Sequence, residues 1–257
     1  MNYKYKIKFS FEIFPYNLKT RNLIFFLKKM KKFGRGIISI TFSKRKNFTY
    51  TIKKSILTKK LNSITIIHFK NQNNIRKNLK LIKIIKNNKI KNLLILKGKK
   101  AIIDKIIFSD KYIIKINKKI CCSYYPEFHE NSINIKKEKI FNKYKTKNKN
   151  IIITQYCIDI YTIINTIRKI YKKNKLIIGL FVFKNYKQSK KITKICNIKT
   201  NKWKNYLTTN KKRKIEIYIE NIFKTIIILI KYKIKKIHLY TLNNLKTSLK
   251  LIKAISK

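Results

Sequence analysis

One carboxylate, Glu12, interrupts the apolar run Phe9-Ser-Phe-Glu-Ile-Phe-Pro15, and the chemistry of this chain has to be sought around it. Taking an unpaired carboxylate out of water is costly. Such a group is paired, is held protonated with a raised pKa, or sits at a strand mouth where a reaction uses it. These seven residues alone also fit an ordinary edge-strand glutamate facing water. Other unusual polar residues fall at the ends of later apolar runs: Thr41, His68, Lys97 with Gly98, Tyr125 with His129, Gln155, and Tyr240 with Thr241. Each has a plain structural explanation: His68 as a satisfied histidine, Gln155 as the closing layer of a barrel. Gathered at one rim, they predict a polar pocket with a single internal acid. The sequence has no zinc-ligand spacing, Gly-rich phosphate loop or nucleophile elbow, and no Ser/His/Asp set can be assembled from it. One acid ringed by hydrogen-bonding side chains suits an enzyme whose cofactor carries the difficult chemistry.

The elements that must position these residues are legible as apolar runs at 7–14, 37–42, 63–69, 92–97, 120–128, 151–156, 176–183 and 236–242. They are nearly continuous in Ile, Leu, Phe and Tyr, as parallel strands buried on both faces require. Between them lie stripes of helical period: Leu23, Phe26, Leu27, Met30 and Phe33; Ile75, Leu79, Ile82 and Ile85; Ile163, Ile164, Ile167 and Ile170; Ile219, Ile222, Phe223, Ile226 and Ile230; Leu245, Leu249 and Ile252. Strand followed by helix, eight times in 257 residues, predicts an α/β protein, a single-domain (β/α)8 TIM barrel over 1–257; an open doubly wound sheet is the alternative. A polar insertion near 197–211 carries Trp203, the sole tryptophan, and reads as a solvated connection or a small lid. The charged segment 133–150 reads as the fifth helix and its exit.

The formal net charge of +57 would ordinarily suggest nucleic acid or an anionic membrane surface as partner. Yet 60 Lys stand against 6 Arg, with only 2 Ala, 4 Gly and 2 Pro beside abundant Ile, Asn, Tyr and Phe. Because Lys, Asn, Ile, Tyr and Phe have codons made mostly of A and T, this bias reads as the imprint of an AT-rich coding sequence, with the charge expected over the whole surface and no basic tail. A specific nucleic-acid partner is therefore not expected, although a basic RNA-binding or ribosome-associated protein stands as the alternative from charge alone. Aliphatic runs such as Ile226 to Ile230 are far short of the ~20 residues that span a bilayer, which predicts a cytoplasmic protein without a membrane anchor. Cys121, Cys122, Cys157 and Cys196 form no C-x-x-C pair. Neighbours 121 and 122 in a strand point to opposite faces, so reduced core thiols are expected and no metal.

Six motifs in order then carry a resemblance. Phe9-Ser-Phe-Glu-Ile-Phe-Pro15, Ser39-Ile-Thr-Phe42, Tyr125-Pro-Glu-Phe-His129, Ile153-Thr-Gln-Tyr156, Asn185-Tyr-Lys-Gln188 and Leu239-Tyr-Thr-Leu-Asn243 together resemble methylenetetrahydrofolate reductase across nearly the whole chain. The resemblance implies a flavin-containing (β/α)8 barrel that reduces 5,10-methylenetetrahydrofolate to 5-methyltetrahydrofolate. FAD would be reduced by NADH or NADPH, with folate and the nicotinamide nucleotide as small-molecule partners and a homo-oligomer possible in principle. It assigns Glu12 as the general acid on the folate's bridging nitrogen. Thr41, His68, Lys97, Gly98, Lys99, Tyr125, His129, Glu138 and Lys145 would hold FAD; Gln155, Gln188 and Leu242 would hold folate. The chain departs from the family pattern at Lys99, where an acid is usual, and at Asn244, where an arginine follows Tyr-Thr-Leu-Asn; Ile192 replaces an aromatic residue. These departures leave a flavoprotein barrel without folate turnover as a further alternative.

Overall fold

The computed structural model describes residues 7–31, 36–41, 48–61, 63–70, 75–96, 119–127, 136, 139–140, 142–143, 151–157, 159–170, 175–196, 198 and 214–255. Eight parallel strands close into a barrel in chain order: β1 (Lys8–Ile13), β2 (Ile37–Ile40), β3 (Ile64–Lys70), β4 (Asn92–Leu96), β5 (Lys119–Tyr124), β6 (Ile151–Thr154), β7 (Leu176–Phe181) and β8 (Lys236–Tyr240). β8 pairs β1 from Lys8 opposite Lys236 to Glu12 opposite Tyr240, which seals the barrel and leaves no free edge. The described helices are α1 (Thr20–Lys31), α2 (Phe48–Lys60), α3 (Ile75–Asn87), α4 (Ile160–Lys169), α5 (Tyr186–Ile195) and α6 (Lys214–Lys231) between strands, and α7 (Leu245–Ile255) after β8. The expected (β/α)8 TIM barrel is the observed fold.

Alternation along each strand sorts the chain into two cores. On β1, Phe9, Phe11 and Ile13 turn outward to pack on Leu23, Phe26, Leu27 and Met30 of α1, and the Phe11 ring meets the Phe26 ring edge to face at 5.3 Å. Burying a side chain of this size completely stabilises the fold by about 1.5–3 kcal/mol. Ile82 and Ile85 of α3 cover Ile67, Phe69, Leu93, Ile95 and Cys122 in the same way. Inside the barrel, Ile66, Leu94, Cys121, Ile153 and Ile177 fill the β3 to β7 side with apolar atoms. Cys121 and Cys122 thus face opposite sides of one strand, and all four cysteines are free thiols. The β8, β1, β2, β3 side of the interior is different. There the buried polar inward positions are Ser10, Glu12, Ser39, His68 and His238.

Two helix starts carry side-chain caps. Asp159 accepts from the Thr162 N–H at the head of α4, and Asn185 accepts from the Gln188 N–H at the head of α5. The proposed insertion near 197–211 lies outside the described residues except for Ile198, which is buried. Among the described residues, no helix is long and apolar enough to cross a membrane.

Candidate active site

Glu12 occupies the penultimate position of β1, opposite Ser39 on β2 and Tyr240 on β8. It is 7% exposed. Burial pushes its carboxyl up to about 8, so near neutral pH it is a carboxylic acid with a proton to give. The Nε2 of His68, two residues before the end of β3, lies 3.8 Å from Oε2 of Glu12 and 2.5 Å from Oγ of Ser39. That separation would suit an ion pair, but burial holds the imidazole down at about 3 as it holds the carboxyl up. Both groups lose more by desolvation than they gain by attraction, and they meet as neutral partners.

A second layer supports the first. His238, fully buried on β8, bonds Ser10 Oγ through Nδ1 at 2.7 Å; the Ser10 hydroxyl also lies 3.3 Å from the Ile237 carbonyl. The one serine hydrogen serves either the Ile237 carbonyl, with Nδ1–H then donating to Ser10, or Nδ1 itself. Burial, and then the nearby His68 ring, keep His238 neutral with a pKa of about 3. Its ring meets Tyr240 edge to face at 4.7 Å. Tyr240 in turn leans across β7 and donates its hydroxyl to the Thr154 carbonyl of β6 at 2.8 Å. Gly179 on β7 makes this crossing possible. A Cβ there would sit 2.6 Å from the Tyr240 ring and closer still to the Thr154 carbonyl, which, as backbone, has little freedom to yield. Burial, followed by the fields of Glu12 and Tyr125, raises the Tyr240 hydroxyl well above its ordinary 10, so it serves as a neutral strut.

The lip beside Glu12 is the Thr241-Leu-Asn243 turn. Leu242 and Asn243 both adopt positive φ, 45° and 63°. Asn tolerates this region, whereas Leu242 is strained by about 1–3 kcal/mol, a cost that surrounding contacts must offset. They do so from two sides. Asn243 clamps Phe14, accepting from its N–H at 2.8 Å and donating Nδ2–H to its carbonyl at 2.9 Å. Thr241 donates its hydroxyl to the Glu12 carbonyl at 2.5 Å. The turn thereby ties the end of β8 to the end of β1 and fixes the backbone that carries the acid.

The structure brings Glu12 and His68 into direct contact, with Thr41 at the end of the adjacent β2. The Thr41 hydroxyl and N–H both point to the Ile13 carbonyl, at 3.3 and 3.0 Å. Tyr125 follows β5 and Gln155 follows β6, both half-buried at the same rim. Leu242 is half-buried in the turn described above. Gln188 lies on the first turn of α5, and its Oε1 accepts the Lys184 N–H at 2.7 Å, one residue before the cap Asn185, which accepts the Gln188 N–H. Lys97, Gly98, Lys99, His129, Glu138 and Lys145 lie outside the described residues. Sequence reasoning missed Ser10, Ser39 as a partner of His68, His238 and the Gly179 crossing. The available signal was alternation: Ser10 shares the face of Glu12 because it is two residues away, and His238 shares that of Tyr240. Asn244, standing where the resemblance expects an arginine, accepts the Thr247 hydroxyl at 3.0 Å, one residue before α7 begins.

Fold and site together define a (β/α)8-barrel protein whose C-terminal rim presents one buried, neutral carboxylic acid held against a neutral imidazole. Its sequence matches methylenetetrahydrofolate reductase over residues 1–256, and the chain belongs to that family. The structure is similar to an uncharacterized protein from Clostridium thermocellum that binds two copies of 5-methyl-5,6,7,8-tetrahydrofolic acid. The TM-score is 0.64 at 12% identity, covering 98% of this chain and 96% of that one. It is also similar to dihydropteroate synthase from Burkholderia cenocepacia, with TM-score 0.51 at 8% identity and coverage of 96% and 91%. At such identities the likeness shows the barrel alone. No curated protein sequence matches this chain.

Proposed function

We propose that this chain, as one barrel domain in the cytoplasm, reduces 5,10-methylenetetrahydrofolate to 5-methyltetrahydrofolate with FAD and NADH or NADPH, supplying methyl groups for methionine. The observation that carries the reading is Glu12: a carboxylic acid, neutral near pH 7 because it is buried, at the strand mouth where barrel enzymes place their chemistry. Family membership and a similarly folded protein that binds 5-methyltetrahydrofolic acid support it.

The described rim fits a flavin. Thr41, His68 and Tyr125 are uncharged hydrogen-bonding groups at the ends of β2, β3 and β5. A heterocycle with donors and acceptors round its edge is matched by such a set better than a compact charged ligand would be. These residues would hold FAD, together with Lys97, Gly98, Lys99, His129, Glu138 and Lys145 from outside the described residues. Bound FAD would supply hydride transfer from the nicotinamide nucleotide to folate. The protein's own part is proton delivery. Glu12 gives its proton to the folate's bridging nitrogen, the C–N bond to the methylene carbon breaks, and the resulting iminium becomes the hydride acceptor; Glu12 is left as a carboxylate beside His68. Gln155, Gln188 and Leu242 would orient the folate.

A second reading keeps FAD but loses folate turnover. It is favoured by Asn244, whose side chain accepts the Thr247 hydroxyl where the resemblance expects an arginine toward the folate. Reconstitution with FAD tests the proposal: the flavin absorption band should co-elute with the protein through gel filtration. Complete separation of FAD from the protein would overturn both readings.

A further inference from the structure

One nitrogen, His68 Nε2, serves two neighbours, Ser39 Oγ at 2.5 Å and Glu12 Oε2 at 3.8 Å. Ser39 is fully buried and His68 is 4% exposed, so neither can exchange its partner for bulk water. A neutral imidazole has one N–H and one lone pair. When the Ser39 hydroxyl donates to Nε2, the lone pair is occupied and cannot draw the proton of Glu12, which is left for a substrate. When Nε2 carries the hydrogen, it can turn from Ser39 to a Glu12 carboxylate and stabilise the charge left by proton loss. Rotation of one hydroxyl and exchange of the imidazole tautomer connect the two arrangements.

We propose that Ser39 and His68 are positioning residues for Glu12: Ser39 governs whether His68 Nε2 accepts or donates, and His68 thereby supports Glu12 both as an acid and as the carboxylate that follows. The proposal rests on the reading of Glu12 as proton donor. The other titratable groups around the acid are Tyr240 and His238 on β8, and Tyr125 beyond the end of β5, whose field reaches Tyr240. His238 is neutral and bonded to Ser10 through Nδ1, its buried Nε2 having no hydrogen-bond partner, and Tyr240 is bonded to the Thr154 carbonyl; neither bonds the Glu12 carboxyl. Helix α1, on the outer face of β1, contributes Leu23, Phe26, Leu27 and Met30. Control of the acid within the described residues falls to Ser39 and His68.

Ser39→Ala tests the assignment with little loss of volume. Without the hydroxyl, Nε2 gains basicity beside the carboxyl, and imidazolium with carboxylate becomes easier to form. The infrared carbonyl band of the protonated acid, identified by its absence in Glu12→Gln, should be titrated in protein free of flavin and folate. Its midpoint should fall by about one pH unit in Ser39→Ala, the effect of one hydrogen bond, and return in Ser39→Thr. With FAD bound, the folate-dependent step should slow by about fivefold near the wild-type midpoint while reduction of FAD by NADH is unchanged. An unshifted midpoint in Ser39→Ala, or equal slowing of both steps, would overturn the proposal. Should Ser39→Ala fold poorly, His68→Gln in the same flavin-free titration decides: an unmoved midpoint overturns it and a moved one supports it. Absence of folate turnover in the wild-type protein would defeat the proposed function, whereas the infrared titration judges the Ser39–His68 pair separately.

Discussion

Glu12→Gln is expected to slow folate reduction by about 10²–10⁴-fold, the usual contribution of a positioned general acid, while NADH still reduces bound FAD at close to the wild-type rate. The amide keeps the shape of the carboxyl and can still bond His68, but it has no proton to donate. Pre-steady-state spectrophotometry separates the two steps. In the wild-type protein the folate step should also fall off as pH rises through about 8, where burial places the ionisation of Glu12. Glu12→Gln should lack that limb altogether. Equal rates for wild type and variant in the folate step would remove Glu12 from the mechanism.

Thermal stability should peak near pH 6.5. His68 and His238 are each held at about 3 in the fold against an ordinary 6.5, so between those values the unfolded chain binds more protons and stability rises with pH. Glu12 acts in the opposite sense. Its folded value of about 8 lies above the ordinary 4.5, the fold binds the extra proton, and stability falls as pH climbs from 4.5 to 8. From 4.5 to 6.5 two imidazoles outweigh one carboxyl; above 6.5 only the carboxyl remains, and its full cost by pH 8 is on the order of 5 kcal/mol. Melting followed by circular dichroism across pH 4–9 should show this maximum, and Glu12→Gln should flatten the descent from 6.5 to 8. A descent equally steep in the variant would mean that the buried carboxyl does not titrate as its surroundings dictate.

The barrel was legible because its strands are buried on both faces and therefore apolar almost without interruption; all eight runs correspond to strands. The runs extend past the strands at their C-terminal ends, as at Phe14, Val182 and Phe183, because rim residues stay apolar after leaving the ladder. Helices were legible only where their inward faces are apolar. α2 presents no such stripe: beside Ile52 its buried residues are Thr51, Ser55 and Thr58, satisfied by bonds from Ser55 to the Thr51 carbonyl and between Thr58 and Thr65. α5 likewise buries Ser189 and Thr193. Even within the stripes, Leu79 and Phe223 are partly exposed, while Asn78 and Leu229 are buried. In the site, Glu12 stood out as an isolated charge in an apolar run. Ser10, Ser39 and His238 did not, because their importance comes from register between strands distant in sequence. That Ser10 lies opposite His238 follows only from closing β8 onto β1. Gln188 also has a local role that the sequence does not announce: its side-chain oxygen accepts the Lys184 N–H, and its own N–H is taken by the cap Asn185.

The most direct test of the central claim is the visible spectrum of the FAD-loaded protein under anaerobic conditions, recorded after NADH and again after methylenetetrahydrofolate. The account predicts that the flavin band bleaches on the first addition and returns on the second, with 5-methyltetrahydrofolate formed in step. A band that bleaches and never returns would contradict it, and would leave a flavoprotein barrel that does not turn over folate.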